Sequence, residues 1–196
     1  MPERAPGPAG AATGPRIAPG GRRDVGTAGW AFAHAAGLVA GTGPPNVFLT
    51  LGRHRRLFRG WLRFAGRLMP GGLLPRRETE LVILRVAHLA GSSYEVAHHE
   101  RLGRRAGLDP DDLRRVAVGP GVPGWSSRER TLLATVDALH ERRDLDDAEW
   151  ALLRVHLGER EAIELCLLVG HYEMLATVLT TLRVQPDVPR RRRRRG

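Results

Sequence analysis

From Asn46 onwards, apolar residues recur at three- and four-residue spacing in one segment after another, and no strand-like alternation of useful length appears. That periodicity predicts amphipathic helices throughout and an all-α fold. A turn at Gly43-Pro44-Pro45 precedes Asn46, read as the N-cap of an arginine-rich helix that ends near Met69-Pro70. Gly71-Gly72 and Pro75 break the chain. The next helix starts around Arg76 and runs through Glu80, Ile83, Leu84 and Ala87 towards Gly91. Ser92 or Ser93 caps a further helix over 94–106, stopped by Gly107. Asp109-Pro110 opens a short helix, Ser126 caps one that reaches His140, and Asp146 begins another. A long, strongly apolar helix covers roughly 159–183, and no internal repeat is found.

Residues 1–21 are mostly proline, glycine and alanine and are expected to be disordered. Residues 22–187 are expected to form one helical domain, and 188–196 an arginine-rich disordered tail. The apolar stretch 25–43 follows Arg22-Arg23, the order found in a twin-arginine leader. Its five glycines and short length suit a helix of the domain rather than a membrane span, so the expectation is a cytoplasmic protein.

Composition changes this picture in three places. A chain of 196 residues with 42% apolar content can supply one real core. There is no lysine, so Schiff-base chemistry is excluded. The net charge of +10 includes six arginines at 190–195, which leaves +4 for the rest. That run could bind polyanions by counterion release, but no recognition helix pair, zinc spacing or stacking platform accompanies it. The expectation is therefore no specific nucleic-acid partner. The single cysteine, Cys166, rules out an internal disulfide and sits in an apolar run that reads as core.

The chemistry concentrates in two helices. Glu80 is flanked at helical spacing by Ile83, Leu84 and Ala87, which puts a carboxylate on or beside the inward face. Glu95 and His99 stand one turn apart on the second helix, and His98 points about 60° away from Glu95. The short Gly91-Ser92-Ser93 connection makes the pair an αα-hairpin. Two arrangements satisfy this spacing: a solvated Glu–His pair on an outer face, or convergence of Glu80, Glu95 and His99 into a proton-handling cluster. Glu95-x-x-His98 also has the spacing of carboxylate-bridged metal bundles, but the second motif such bundles need has only Asp137-x-x-His140 as a weak match. No metal and no cofactor are expected. Tyr94 beside Glu95, and His171 in the last helix, read first as packing residues; the second reading makes Tyr94 a proton donor and His171 a wall of the same pocket.

Residues 74–85 (Leu-Pro-Arg-Arg-Glu-Thr-Glu-Leu-Val-Ile-Leu-Arg) and 91–99 (Gly-Ser-Ser-Tyr-Glu-Val-Ala-His-His) resemble the core hairpin of the carboxymuconolactone decarboxylase family. Residues 168–176 (Leu-Val-Gly-His-Tyr-Glu-Met-Leu-Ala) are similar to its last helix. The resemblance implies an alkylhydroperoxidase D-like helical bundle with a central αα-hairpin carrying the site. It also implies a homo-oligomer, as dimer, trimer or hexamer. The alkylhydroperoxidase D pattern, Glu and later Cys-x-x-Cys-x-x-x-His, falls on Glu80, Ser92, Glu95 and His99, so acid and histidine remain while both sulfurs are missing. Serine cannot form the disulfide of a thiol cycle, which disfavours peroxidase activity. Glutamate at position 95 matches the decarboxylase-like branch, a lyase acting on a small carboxylated or lactone-type organic molecule. On that reading Glu80, Glu95 and His99 are catalytic, Arg85 or an arginine near the mouth anchors a substrate carboxylate, and Tyr94, His98 and His171 contact substrate. The alternative is a non-catalytic helical oligomer that binds a small ligand or protein partner.

Overall fold

The computed structural model describes residues 14–188, and the regular elements among them are all helices. In chain order these are α1 (Arg22–Ala40), α2 (Asn46–Leu51), α3 (Arg55–Leu68), α4 (Arg76–Leu89), α5 (Ser93–Arg105), α6 (Pro110–Val118), α7 (Ser127–Arg142), α8 (Asp147–His156) and α9 (Glu159–Leu182). The arginine run at 190–195 lies outside the described residues.

Helix α4 is the central post. Every residue from Thr79 to Ala87 is buried, because α5, α6, α7 and α9 pack around it. On one side Val82, Ile83 and Val86 join Leu132, Val136, Leu153, Leu165 and Leu168 in the main core. On the other, Leu81 and Leu84 meet Leu108, Leu113, Val116, Trp125 and Leu133. A helix buried all round leaves no wet face for a charge, so Glu80 and Arg85 must each find a partner inside.

The arginine-rich region forms two helices rather than the single one expected from Asn46. Gly52-Arg53-His54 interrupts it, and His54 Nδ1 accepts from the Leu57 N–H at 3.3 Å to cap α3. Asn46 is not a cap but the first residue of α2, with Pro45 in the cap position. Its side chain instead donates to the Gln185 carbonyl at 2.9 Å. Along α3, Arg55, Arg56, Arg59 and Arg63 face outward, while Phe58 and Leu68 are buried.

Residues 14–21, expected to be part of a disordered leader, lie against the domain. The Arg16 N–H donates to the Leu182 carbonyl at 3.0 Å and the Gly20 N–H to the Leu49 carbonyl at 3.0 Å. The reading also misplaced Cys166, which is exposed. Helix α9 is apolar on nearly every side, so its run of apolar residues does not reveal a face: Leu165, Leu168 and Val169 point inward, while Ile163, Cys166, Leu167 and Met174 point out. By length and composition α9 is also the one helix among the described residues that could cross a membrane, and half of that stretch is buried in the fold.

Candidate active site

The turn at Gly91, which has φ +64, reverses the chain and lays α5 antiparallel on α4, so Glu80 meets His99. His99 Nδ1 and Glu80 Oε2 are 2.7 Å apart, and Arg76 Nη2 pairs with Glu80 Oε1 at 2.7 Å. An ion-paired carboxylate only accepts, so neutral His99 carries its proton on Nδ1 and leaves Nε2 as the acceptor. Burial lowers the His99 pKa, against the opposing pull of Glu80, so the neutral form prevails near pH 7. Glu80 is 0% exposed and His99 4%. Glu80 and His99 therefore meet in the dry arrangement, not the solvated one.

Glu95, in the first turn of α5, is 1% exposed, and neither carboxyl oxygen has a hydrogen-bond partner. A helix N-terminus favours an anion by about 0.3–1 kcal/mol. Burial overrides it here and pushes the Glu95 carboxyl up to about 7. The Ser92 hydroxyl, which would lower the pKa, counters part of this without reaching hydrogen-bonding geometry, and the negative charge of Glu173 adds to the rise. Near neutral pH this side chain can hold or release a proton.

Glu95 and His99 line a cavity of about 250 Å³. Tyr94, His98 and His171 line it too. Burial lowers His171 to about 4, its Nδ1 has no partner, and its ring stacks on Trp61 at 5.9 Å. Tyr94 donates its hydroxyl hydrogen to Asp187, at 2.9 Å from Oδ1. His98 Nδ1 lies 3.3 Å from Asp187 Oδ2.

Arg85 stands apart. Five residues beyond Glu80, it points about 140° round α4. There it makes a two-pronged pair with Asp137, at 2.6 and 2.8 Å, and donates to the Val116 and Ala117 carbonyls. Among the described residues no arginine lines the cavity, and the expected carboxylate anchor, Arg85, is a structural tie between α4, α6 and α7. The weak metal motif dissolves in the same way: Asp137 serves Arg85 and His140 bonds Glu173. Among the described residues no three His, Cys, Asp or Glu side chains converge as a ligand set.

Sequence reasoning missed most of the wall. Phe32, Phe48, Trp61 and Tyr172 make it aromatic, and the Tyr172 ring meets His99 edge-on at 5.1 Å and 88°. Trp61 and His171 also face an open groove of about 860 Å³ on the outside, between α3 and α9. Helical periodicity marks such residues as inward-facing, which a solid core requires equally, so no sequence signal separates wall from core.

No curated protein matches the sequence. Residues 55–138 match the model of the carboxymuconolactone decarboxylase family. Among solved structures, the fold is similar to the alkylhydroperoxidase AhpD core of an uncharacterized peroxidase-related protein from Ralstonia eutropha JMP134, with a TM-score of 0.79 and 20% identity over 88% of this chain and 92% of that one. An uncharacterized peroxidase-related protein from Silicibacter sp. TM1040 aligns with a TM-score of 0.74 and 18% identity, over 80% and 83% of the two chains. The debrominase Bmp8 in complex with 2,3,4-tribromopyrrole also aligns at 0.74 and 18%, over 86% and 90%. The central segment, residues 55–138, thus matches the carboxymuconolactone decarboxylase family, and the chain is similar in fold to AhpD-like helical proteins.

Proposed function

We propose that the protein is a lyase-type enzyme that moves a proton at carbon of a small lactone-type organic molecule, with loss of carbon dioxide where the substrate carries a carboxylate. The observation that carries this is Glu95: a buried acid poised near neutral pH, without a hydrogen-bond partner, in the wall of an aromatic cavity beside a histidine held by a second carboxylate. In the decarboxylation, the bond from ring carbon to carboxylate breaks and carbon dioxide leaves. The electron pair stays on the ring as an enolate of the lactone carbonyl. The Glu95 acid then delivers its proton to carbon, and its carboxylate regains one from water, with His99 Nε2 as the neighbouring base.

Arg85 is engaged elsewhere, and among the described residues no arginine lines the cavity. A substrate carboxylate held there is poorly solvated, and its departure as neutral carbon dioxide relieves that cost. A thiol cycle has no thiol to use, because the one cysteine lies on the exposed side of α9, away from Glu95 and His99. Screening carboxylated lactones for carbon dioxide release tests the reading: Glu95→Gln and His99→Ala should abolish turnover of whichever substrate is found. Unchanged turnover in both variants would remove these residues from the chemistry.

Assembly as a homo-oligomer is part of the same proposal. Leu57, Phe64, Leu167 and Met174 are exposed around one groove between α3 and α9, an apolar face that a second copy would cover. Light scattering checks it, and a monomer at micromolar concentration would contradict it.

A further inference from the structure

Beyond α9 the chain turns back onto the loop before α2. The Gly43 N–H donates to the Val188 carbonyl at 3.1 Å, and Asn46 Nδ2 donates to the Gln185 carbonyl at 2.9 Å. Between these ties Asp187 is buried, its side chain only 1% exposed. Its Oδ1 accepts from the Asn46 backbone N–H at 2.8 Å and from the Tyr94 hydroxyl at 2.9 Å. Its Oδ2 lies 3.0 Å from the same hydroxyl and 3.3 Å from His98 Nδ1. Arg101 Nη2 is 3.9 Å from Oδ2 and 3.4 Å from His98 Nδ1, so the carboxylate is not left as an isolated buried charge. The Tyr94 oxygen in turn accepts from the Val47 N–H at 3.3 Å.

One carboxylate thus joins three parts of the chain. Helix α2 supplies Val47 and Phe48 to the cavity wall, and α5 supplies Tyr94, Glu95, His98 and His99. The first two amides of α2, which have no partner inside their own helix, are taken by Asp187 and by the tyrosine that Asp187 holds. We propose that Asp187 is a positioning residue of the active site: it fastens α2 to α5 through Tyr94 and His98, and so keeps the cavity closed around Glu95. Asp187 then belongs to the site, although its hydrogen bonds go to Asn46, Tyr94 and His98 and not to the proposed acid and base. Removing the carboxylate leaves the Asn46 N–H and the Tyr94 hydroxyl hydrogen without their acceptor, and water entering to supply one reaches Glu95.

This inference rests on Glu95 being the dry acid of the proposed reaction, and its test reads that residue directly. In the full-length protein, the Glu95 carboxyl is titrated by carbon-13 NMR in wild type, Asp187→Ala, Asp187→Asn and Asn46→Ala. Wild type should titrate near 7. Asp187→Ala should fall by about one unit or more towards the ordinary carboxylate value as the site hydrates. Asp187→Asn keeps an oxygen for Asn46 and Tyr94 and should stay close to wild type. Asn46→Ala loosens the segment without touching the carboxylate and should give a smaller fall.

A folded Asp187→Ala with Glu95 unmoved overturns the positioning role. An equal fall in Asp187→Asn and Asp187→Ala also overturns it, because loss of negative charge would then explain both. If Asp187→Ala does not fold, Asn46→Ala decides: a fall supports the role and no fall overturns it. A wild-type Glu95 titrating near 4.5 overturns this proposal together with the reading beneath it, an outcome distinct from the others.

Discussion

Replacing Glu95 by glutamine should make the protein more stable at alkaline pH. Burial raises the carboxyl from 4.5 to about 7, so the folded state holds a proton that the unfolded chain has already released. Below about pH 4.5 both states are protonated and the wild type loses nothing. Between that value and 7 its stability falls as pH rises, and above 7 the loss is complete. A shift of about 2.5 units, at about 1.4 kcal/mol each, amounts to roughly 3 kcal/mol. Glutamine keeps the shape of the neutral acid and does not ionise. The stability difference between Glu95→Gln and wild type should therefore grow by roughly 3 kcal/mol from about pH 4 to about pH 8. With a urea m-value on the order of 2 kcal/mol/M for a domain of this size, the midpoints should separate by about 1.5 M. The assay is urea unfolding followed by circular dichroism at fixed protomer concentration, since association would stabilise both proteins. Other titrating groups are common to the two and cancel. A difference that stays flat across this range would mean that Glu95 ionises normally, and the case for a poised acid would fail.

Three further substitutions probe the surroundings. Glu80→Gln removes the charge that raises the His99 pKa against burial, so nitrogen-15 NMR should show His99 titrating lower still, with about 1.5–3 kcal/mol of stability lost. Arg85→Ala leaves Asp137 and two carbonyls without their donor and should cost roughly 3 kcal/mol by urea unfolding. Once an active substrate is known, that variant should keep the wild-type KM, and a rise of about tenfold would restore Arg85 as an anchor. Cys166→Ser, on an exposed position, should change stability by less than about 0.5 kcal/mol and leave activity intact, whereas loss of activity would revive thiol chemistry.

How much of this was legible in the sequence differs from residue to residue. The hairpin was readable because Gly91 and Ser92 punctuate two helical periods, and one turn between Glu95 and His99 fixes their common side. Convergence on Glu80 followed once the hairpin was short. Arg85 was misread because α4 is buried on every side, so its apolar neighbours identify no preferred face and only rotation about the helix separates it from Glu80. Cys166 went astray for the same reason on α9, whose apolar residues point both ways. Asn46 has the chemistry of a cap, but the Asp187 carboxylate, 141 positions later, takes the α2 amide instead. No local pattern announces a partner at that separation, and a lone aspartate between Pro186 and an arginine run gives no hint of burial.

The central claim is that Glu95 and His99 move a proton at carbon. Solvent deuterium exchange into the ring carbons of unsaturated lactones, followed by proton NMR, tests it without requiring net turnover. The wild type should catalyse exchange next to the lactone carbonyl, and Glu95→Gln and His99→Ala should each slow it by about 10²–10⁴, the usual contribution of a general acid or base. Exchange at equal rates in all three proteins, or none in any of them over a broad set of lactones, would contradict it.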